Sequence, residues 1–172
     1  MGSYLNPGNK GFQESLNSEI YVDKTDLVEK TNAVLDTRQK FLCVSRPRRF
    51  GKSMAADMLA AYYERGEDAD LLFRSLKISK AESYRAHLNQ YDVIKVNIQE
   101  FLSMTGSMDE MLSMLKKYLV FDLMEHFDDV RFRDESNLIQ VMKDIYAKTK
   151  RAFVILIDEW DCLFREYQQD QD

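Results

Sequence analysis

Two short stretches constrain this chain more than anything else in it. The first is Arg46-Pro47-Arg48-Arg49-Phe50-Gly51-Lys52-Ser53. The second, beginning 107 positions later, is Phe153-Val154-Ile155-Leu156-Ile157-Asp158-Glu159. A phosphate-binding loop, the Walker A motif, reads Gly, four residues, then Gly-Lys-Ser/Thr. Gly51, Lys52 and Ser53 satisfy its second half, while Arg46 stands where its first glycine belongs. Gly51 lets the backbone approach a phosphate where a Cβ would collide. Backbone N–H groups from about 48 to 54, including those of Arg48, Arg49, Phe50 and Met54, can converge as an anion nest. The following helix adds its positive N-terminal end. Lys52 is expected on the β- and γ-phosphates, and the Ser53 hydroxyl on Mg²⁺.

The flanks suit that reading. Residues 41–45, Phe-Leu-Cys-Val-Ser, form a short apolar run that predicts a buried parallel strand. Residues 52–63 are strong helix formers, apolar on most of their circumference, which predicts a helix buried against a sheet and stopped at Gly66. An ordinary turn is the alternative for a lone Gly-Lys-Ser.

The second stretch is the expected partner of the first. Five apolar residues in a row, 153–157, predict a strand buried on both faces, ending in Asp158-Glu159. Carboxylates are expected there at the carboxyl edge of a parallel sheet, where ligands bind. This is the Walker B pattern. Asp158 would hold Mg²⁺, and Glu159 would orient or deprotonate the attacking water. A strand running into an acidic surface loop is the alternative.

Several segments together carry a family resemblance: Tyr4-Leu5-Asn6-Pro7-Gly8, Ile20-Tyr21-Val22-Asp23-Lys24-Thr25, Ser45 to Ser53, and Ile157-Asp158-Glu159-Trp160-Asp161. The chain resembles the bacterial AAA-ATPase-like family over residues 4–167. That family's loop is usually Arg-Pro-Arg-Arg-Phe-Gly-Lys-Ser, so Arg46 departs from the general motif and not from the family. The resemblance implies a P-loop ATPase with an extra strand between the two motif strands, using ATP and Mg²⁺. It also implies that a nuclease-like domain of the PD-(D/E)XK type often follows. Adenine over guanine rests on the resemblance alone.

The remaining sequence is consistent with one domain of 172 residues. Residues 1–24 read as a loop-rich lead-in, with a short extended piece near 19–22. Asp23 or Thr25 could cap a helix over about 25–34. Short helices are predicted at 68–75 and 80–88, and a strand at 92–98. Ser107-Met108-Asp109-Glu110 is a capping box opening a helix to about 127. Its apolar positions 108, 111, 112, 115, 119 and 123 read as core. Asp134 or Ser136 opens another helix to about 149, with Leu138, Val141, Met142 and Ile145 inward. A further helix is expected from about 161. Alternating strands and helices predict an α/β fold: a P-loop NTPase-type parallel sheet with helices on both faces. The chain ends 14 residues after Asp158. The fold is therefore expected to be truncated after the Walker B strand, lacking the sensor and arginine-finger elements. An exposed sheet edge would follow, and with it self-association.

Composition excludes other chemistries. With 24 basic and 29 acidic residues the net charge is −5, which argues against a broad nucleic-acid surface. The cations Arg46, Arg48, Arg49 and Lys52 are then expected to face an anion. That anion is bound phosphate, or Asp158, Glu159 and Asp161 when the site is empty. No apolar run approaches a membrane span. The cysteines, Cys43 and Cys162, read as buried thiols in a reducing cytoplasm. The histidines His87 and His126 offer no zinc spacing. None of the 13 lysines has an acidic residue two positions before it, so no nuclease motif lies in this chain. The two functions that remain are a Mg²⁺-dependent ATPase and a nucleotide-gated switch with negligible turnover. Glu159 favours the first, and the absent sensor and finger favour the second.

Overall fold

Helix begins earlier than the glycines and proline at the start of the chain suggest. The computed structural model describes residues 2–45 and 51–164, and within it α1 runs from Lys10 to Leu16. Gly11 makes this helix possible where it lies. A Cβ at Gly11 would come within 2.9 Å of the Asp57 carboxyl carbon, so glycine lets α1 pack on the helix that carries Asp57 without displacing that side chain. The chain divides into two compact units, Gly8–Val93 and Met1–Pro7 with Ile94–Asp172.

The unit Gly8–Val93 is mainly helical among its described residues, and its last two residues, Asp92 and Val93, enter a strand. It holds α1, α2 (Asp26–Asn32), α3 (Lys52–Tyr63), α4 (Asp70–Phe73), a 3₁₀ turn at Lys77–Lys80 and α5 (Tyr84–His87). The predicted loop helix starts and ends where α3 does. Met58 to Tyr63 are all buried, and within its unit α3 packs on α1. What holds its buried end is a polar network. The Tyr63 hydroxyl donates to Asn32 Oδ1 at 2.7 Å. The Tyr62 hydroxyl accepts from Asn32 Nδ2 at 3.1 Å and donates to the Tyr84 carbonyl at 2.7 Å. Buried phenols are tolerated because each hydroxyl has a partner. Burial pushes the Tyr62 phenol up to about 12, so it stays protonated.

Gly66 is not the stop. The chain leaves helical geometry at Glu64, which turns extended and forms a parallel bridge with Tyr91. The Glu64 side chain is fully buried. Its Oε2 accepts from the Gly8 amide at 2.7 Å, and its Oε1 has no partner among the described residues. Burial pushes its carboxyl above the ordinary glutamate range, against the pull of that hydrogen bond. The folded state thus binds the proton more tightly than the unfolded chain. The stability linked to this group falls as pH rises from the ordinary value through the raised one.

The other unit contains the sheet and its three helices: α6 (Ile98–Ser103), α7 (Met108–His126) and α8 (Leu138–Thr149). Two strands, β1 (Asp92–Asn97) and β2 (Phe153–Asp158), pair in parallel. Both were expected, and a connection containing three helices is what a parallel pair demands. The predicted capping box forms, displaced by one residue. Ser107 Oγ accepts from the Glu110 amide at 3.3 Å, but the Glu110 carboxylate reaches back to the Gly106 amide at 2.9 Å. The cap of α8 is Asn137, not Asp134 or Ser136. Its Oδ1 accepts from the Ile139 and Gln140 amides at 3.1 and 3.2 Å. Asp134 instead closes the turn before it through Ser136. Leu5, Ile94, Val96, Leu123, Val141 and Ile145 centre the core. Of the α7 stripe, Met111, Leu119 and Leu123 are buried, whereas Leu112 is exposed.

Tyr4 and Leu5 lie along the sheet as a short third element. Leu5 bridges Ile94 in antiparallel fashion, and the Lys95 amide donates to the Tyr4 carbonyl at 2.9 Å. Buried Asp122 of α7 anchors the segment, accepting from the Tyr4 amide at 2.6 Å and the Leu5 amide at 3.3 Å. Removing a buried acceptor leaves both amides unsatisfied, at about 1–3 kcal/mol. Asp122→Ala is therefore expected to lower the midpoint of urea denaturation by that amount, with Asp122→Asn retaining most of it. An unchanged midpoint in Asp122→Ala would show that the N-terminal segment is held by other contacts.

No helix among the described residues is long and apolar enough to cross a membrane.

Candidate functional site

The start of α3 is marked by a glycine in left-handed geometry. Gly51 sits at the N-cap with φ 77° and ψ 30°, a left-handed conformation that glycine adopts at no steric cost. A Cβ there would stand 3.3 Å from Lys24 Nζ. The Gly51 carbonyl accepts from the Ala55 amide at 3.0 Å, closing the first turn. Lys52, half-buried, is the first helical residue, and Ser53 and Met54, both exposed, follow in the same turn. The opening amides of a helix have no intrahelical acceptor, and their partial positive charge favours an anion. Arg46, Arg48, Arg49 and Phe50 lie outside the described residues.

The segment leading to the loop differs from expectation. Residues 41–45 form no strand. Phe41, Leu42 and Val44 are exposed at 86%, 53% and 41%, and Cys43 is exposed too, not a buried thiol. A strand exists only through its ladder partner, and β1 and β2 pair with each other. Apolar content alone could not supply that partner.

Lys24 is brought to Gly51 by a braced turn. Asp23 Oδ1 accepts from the Thr25 amide at 2.9 Å and its hydroxyl at 2.7 Å, while Oδ2 accepts from the Lys77 amide at 2.8 Å. The Thr25 hydroxyl in turn accepts from the Ile78 amide at 3.1 Å. Burial pushes the Asp23 carboxyl up, but these hydrogen bonds and the Lys77 ammonium outweigh it and hold the group below the usual range. Sequence reasoning took Asp23 and Thr25 only as helix caps and gave Lys24 no role. The signal was there in Asp23-Lys24-Thr25-Asp26, a run of polar residues set between Val22 and Leu27.

In the other unit, β2 delivers the carboxylates. Its burial alternates. Val154 and Asp158 are each 8% exposed, while Ile155 and Ile157 are each 53% exposed. The strand is thus covered on one face, not on both. The other strand, β1, differs: Asp92, Val93 and Ile94 are buried in succession. Asp158 Oδ1 accepts from the Glu159 amide at 2.9 Å. Glu159 itself has φ 53°, a left-handed backbone uncommon for a side-chain-bearing residue and shared here by Asn6, Asn89 and Lys150. The Glu159 carbonyl accepts from the Cys162 amide at 3.2 Å, which starts the helical turn at 162–164. Cys162 is buried, as expected. Burial, then the Asp161 and Glu159 charges, push its thiol up, so it is no nucleophile.

Gly51, Lys52, Ser53 and Met54 belong to the unit Gly8–Val93, and Asp158 and Glu159 to the other. Among the described residues no three His, Cys, Asp or Glu side chains gather as a metal cage. Mg²⁺ bound with a nucleotide needs none, because phosphate oxygens and water fill most of its shell.

A family model described as Predicted AAA-ATPase matches residues 8–172. The chain belongs to the predicted AAA-ATPase-like family. The match covers both motif stretches and the Asp23–Thr25 turn. No curated protein and no solved structure gives a significant match. The donor set fits what an AAA-ATPase-like chain would hold. Glycine with left-handed φ stands before α3, where a Cβ would come 3.3 Å from Lys24 Nζ, and a lysine and a serine occupy the opening helical turn. A buried aspartate ends the second motif strand.

Proposed function

We propose that this chain binds ATP with Mg²⁺ and hydrolyses it. The observation that carries the reading is Gly51 in left-handed geometry immediately before the 12-residue helix α3, with Lys52 and Ser53 in its first turn, in a chain of this family. The amides from Arg48 to Met54 bind phosphate oxygens. Lys52 neutralises charge on the β- and γ-phosphates. The Ser53 hydroxyl and Asp158 hold Mg²⁺, which when bound supplies charge neutralisation at the phosphates. Glu159 orients the attacking water and accepts its proton.

The wider assignment follows the family. We read the chain as an AAA-ATPase-like domain of a bacterial, cytoplasmic protein. Self-association belongs to the same proposal. β2 pairs only with β1 among the described residues, and Ile155 and Ile157 stand exposed on it. An edge of this kind invites another chain. Light scattering at high concentration is expected to give a mass above the monomer, and a monomeric mass throughout would sink the idea.

The direct test is equilibrium binding of ATP and ADP with Mg²⁺ by calorimetry. Micromolar binding is expected, about −8 kcal/mol. Absence of heat, confirmed by a second method, would mean that the motifs do not assemble a site in this chain.

A further inference from the structure

A cavity of about 150 Å³ opens beside the start of α3. Its walls include Phe12 of α1, Tyr21 and Lys24 of the following segment, and Gly51, Met54 and Met58. On α3 the lining positions 51, 54, 55 and 58 follow one another at helical spacing, so one stripe leads from the phosphate loop into the cavity. Phe12 and Met58 are buried at 1% and 2% exposure, whereas Ile20, Val22 and Met54 line the same cavity at 82%, 64% and 43%. Apolar side chains left in solvent around an apolar hollow mark a surface that something covers. Phe12 is itself fixed, stacked on Phe73 with ring centroids 4.8 Å apart, and Tyr21 meets it edge-on at 6.2 Å.

Size and polarity together restrict the occupant. Pockets that enclose a whole drug-sized ligand run to about 300–1,000 Å³. An apolar space half that size or less accepts a single planar ring system. One end is aromatic and aliphatic. At the other end stand Lys24 and the positive opening turn of α3, with Lys24 Nζ 3.3 Å from the Cβ position of Gly51. The Asp23–Thr25 brace keeps Lys24 in that place. A ligand matching both ends carries a flat ring at one end and an anion at the other.

We propose that this cavity takes the adenine ring of the nucleotide whose phosphates lie against Gly51–Ser53, and that Lys24 is a further phosphate-binding cation at its inner rim. The proposal rests on the ATP reading and extends it to base and cation. Tyr21 and Met54 flank the ring. Met58 and Phe12 form the floor. Asp23 is a positioning residue, acting only through Lys24.

The test compares ATP with inorganic tripolyphosphate, which has the anion but no ring, both with Mg²⁺ and by calorimetry on the full chain. Ala55→Leu narrows the cavity, and Val22→Ala removes a lining contact at an exposed position where folding is not at stake. Each is expected to weaken ATP by about fivefold or more while leaving tripolyphosphate within about twofold. Lys24→Ala is expected to weaken both ligands alike. Parallel loss of ATP and tripolyphosphate in Val22→Ala, or no loss of ATP in either cavity variant, would overturn the base pocket. Unchanged binding of both ligands in Lys24→Ala would overturn the cation. Wild-type chain that binds tripolyphosphate as tightly as ATP would refute the cavity and leave the phosphate loop standing. Wild-type chain that binds neither would bring down the ATP reading itself.

Discussion

Exchanging Glu159 for glutamine should cut ATP turnover by about 10²–10⁴ while ATP binding stays as it was, because the variant loses a proton acceptor and keeps shape and hydrogen bonding. The position makes the comparison clean. Glu159 holds its left-handed φ of 53° through the backbone, where its carbonyl receives the Cys162 amide. Glutamine bears the same strain there as glutamate, so folding is not expected to change. Steady-state phosphate release and calorimetric ATP affinity, measured on the same preparations, separate the two effects. Loss of affinity along with rate would mean that Glu159 holds nucleotide or metal and is not the base. A negligible rate in the wild type, unchanged in Glu159→Gln, would favour the nucleotide-gated switch.

Lys52→Ala should weaken ATP at least tenfold, about 1.4 kcal/mol. Lys52 is the first residue of α3, and alanine is the best helix former, so the loop helix is not expected to unravel. The buried anchor of α3 lies at its far end, in Tyr62 and Tyr63, well away from the change. What the variant loses is one charge where phosphate charge is densest. A loss that shrinks at high salt would fit that cause. Equal affinities in variant and wild type would place phosphate binding elsewhere in the chain.

Much of the fold was legible because its signals are local. The span of α3, the strand at 92–97 and the strand at 153–158 follow from apolar periodicity within a few residues. The Ser107 cap follows from a polar residue before a helical run. Expectations failed where the outcome depends on a partner distant in sequence. Residues 41–45 look like a strand, but no ladder partner adjoins them among the described residues, and they stay exposed. Helix α3 stops at Tyr63 because Glu64 is drawn into a bridge with Tyr91, which no property of 64–66 announces. Helix α1 was hidden by Gly11, read as a loop residue when it is a packing residue. In the candidate site, Gly51, Lys52, Ser53, Asp158 and Glu159 stood out by spacing. Arg48, Arg49 and Phe50 fall outside the described residues. Lys24 could not be found by spacing, since it reaches Gly51 only through the turn that Asp23 braces from Lys77.

The two thiols of this chain live in different worlds. Cys162 is sealed in a core, and Cys43 stands in solvent, eight positions before Gly51. A maleimide dye would therefore mark one site without any mutation, next to the loop that nucleotide should engage. The same exposure carries a hazard for purification. Without reductant, two copies can be joined through Cys43, giving a covalent dimer that imitates edge pairing in a mass measurement. Non-reducing electrophoresis distinguishes the two, since only the covalent dimer survives detergent.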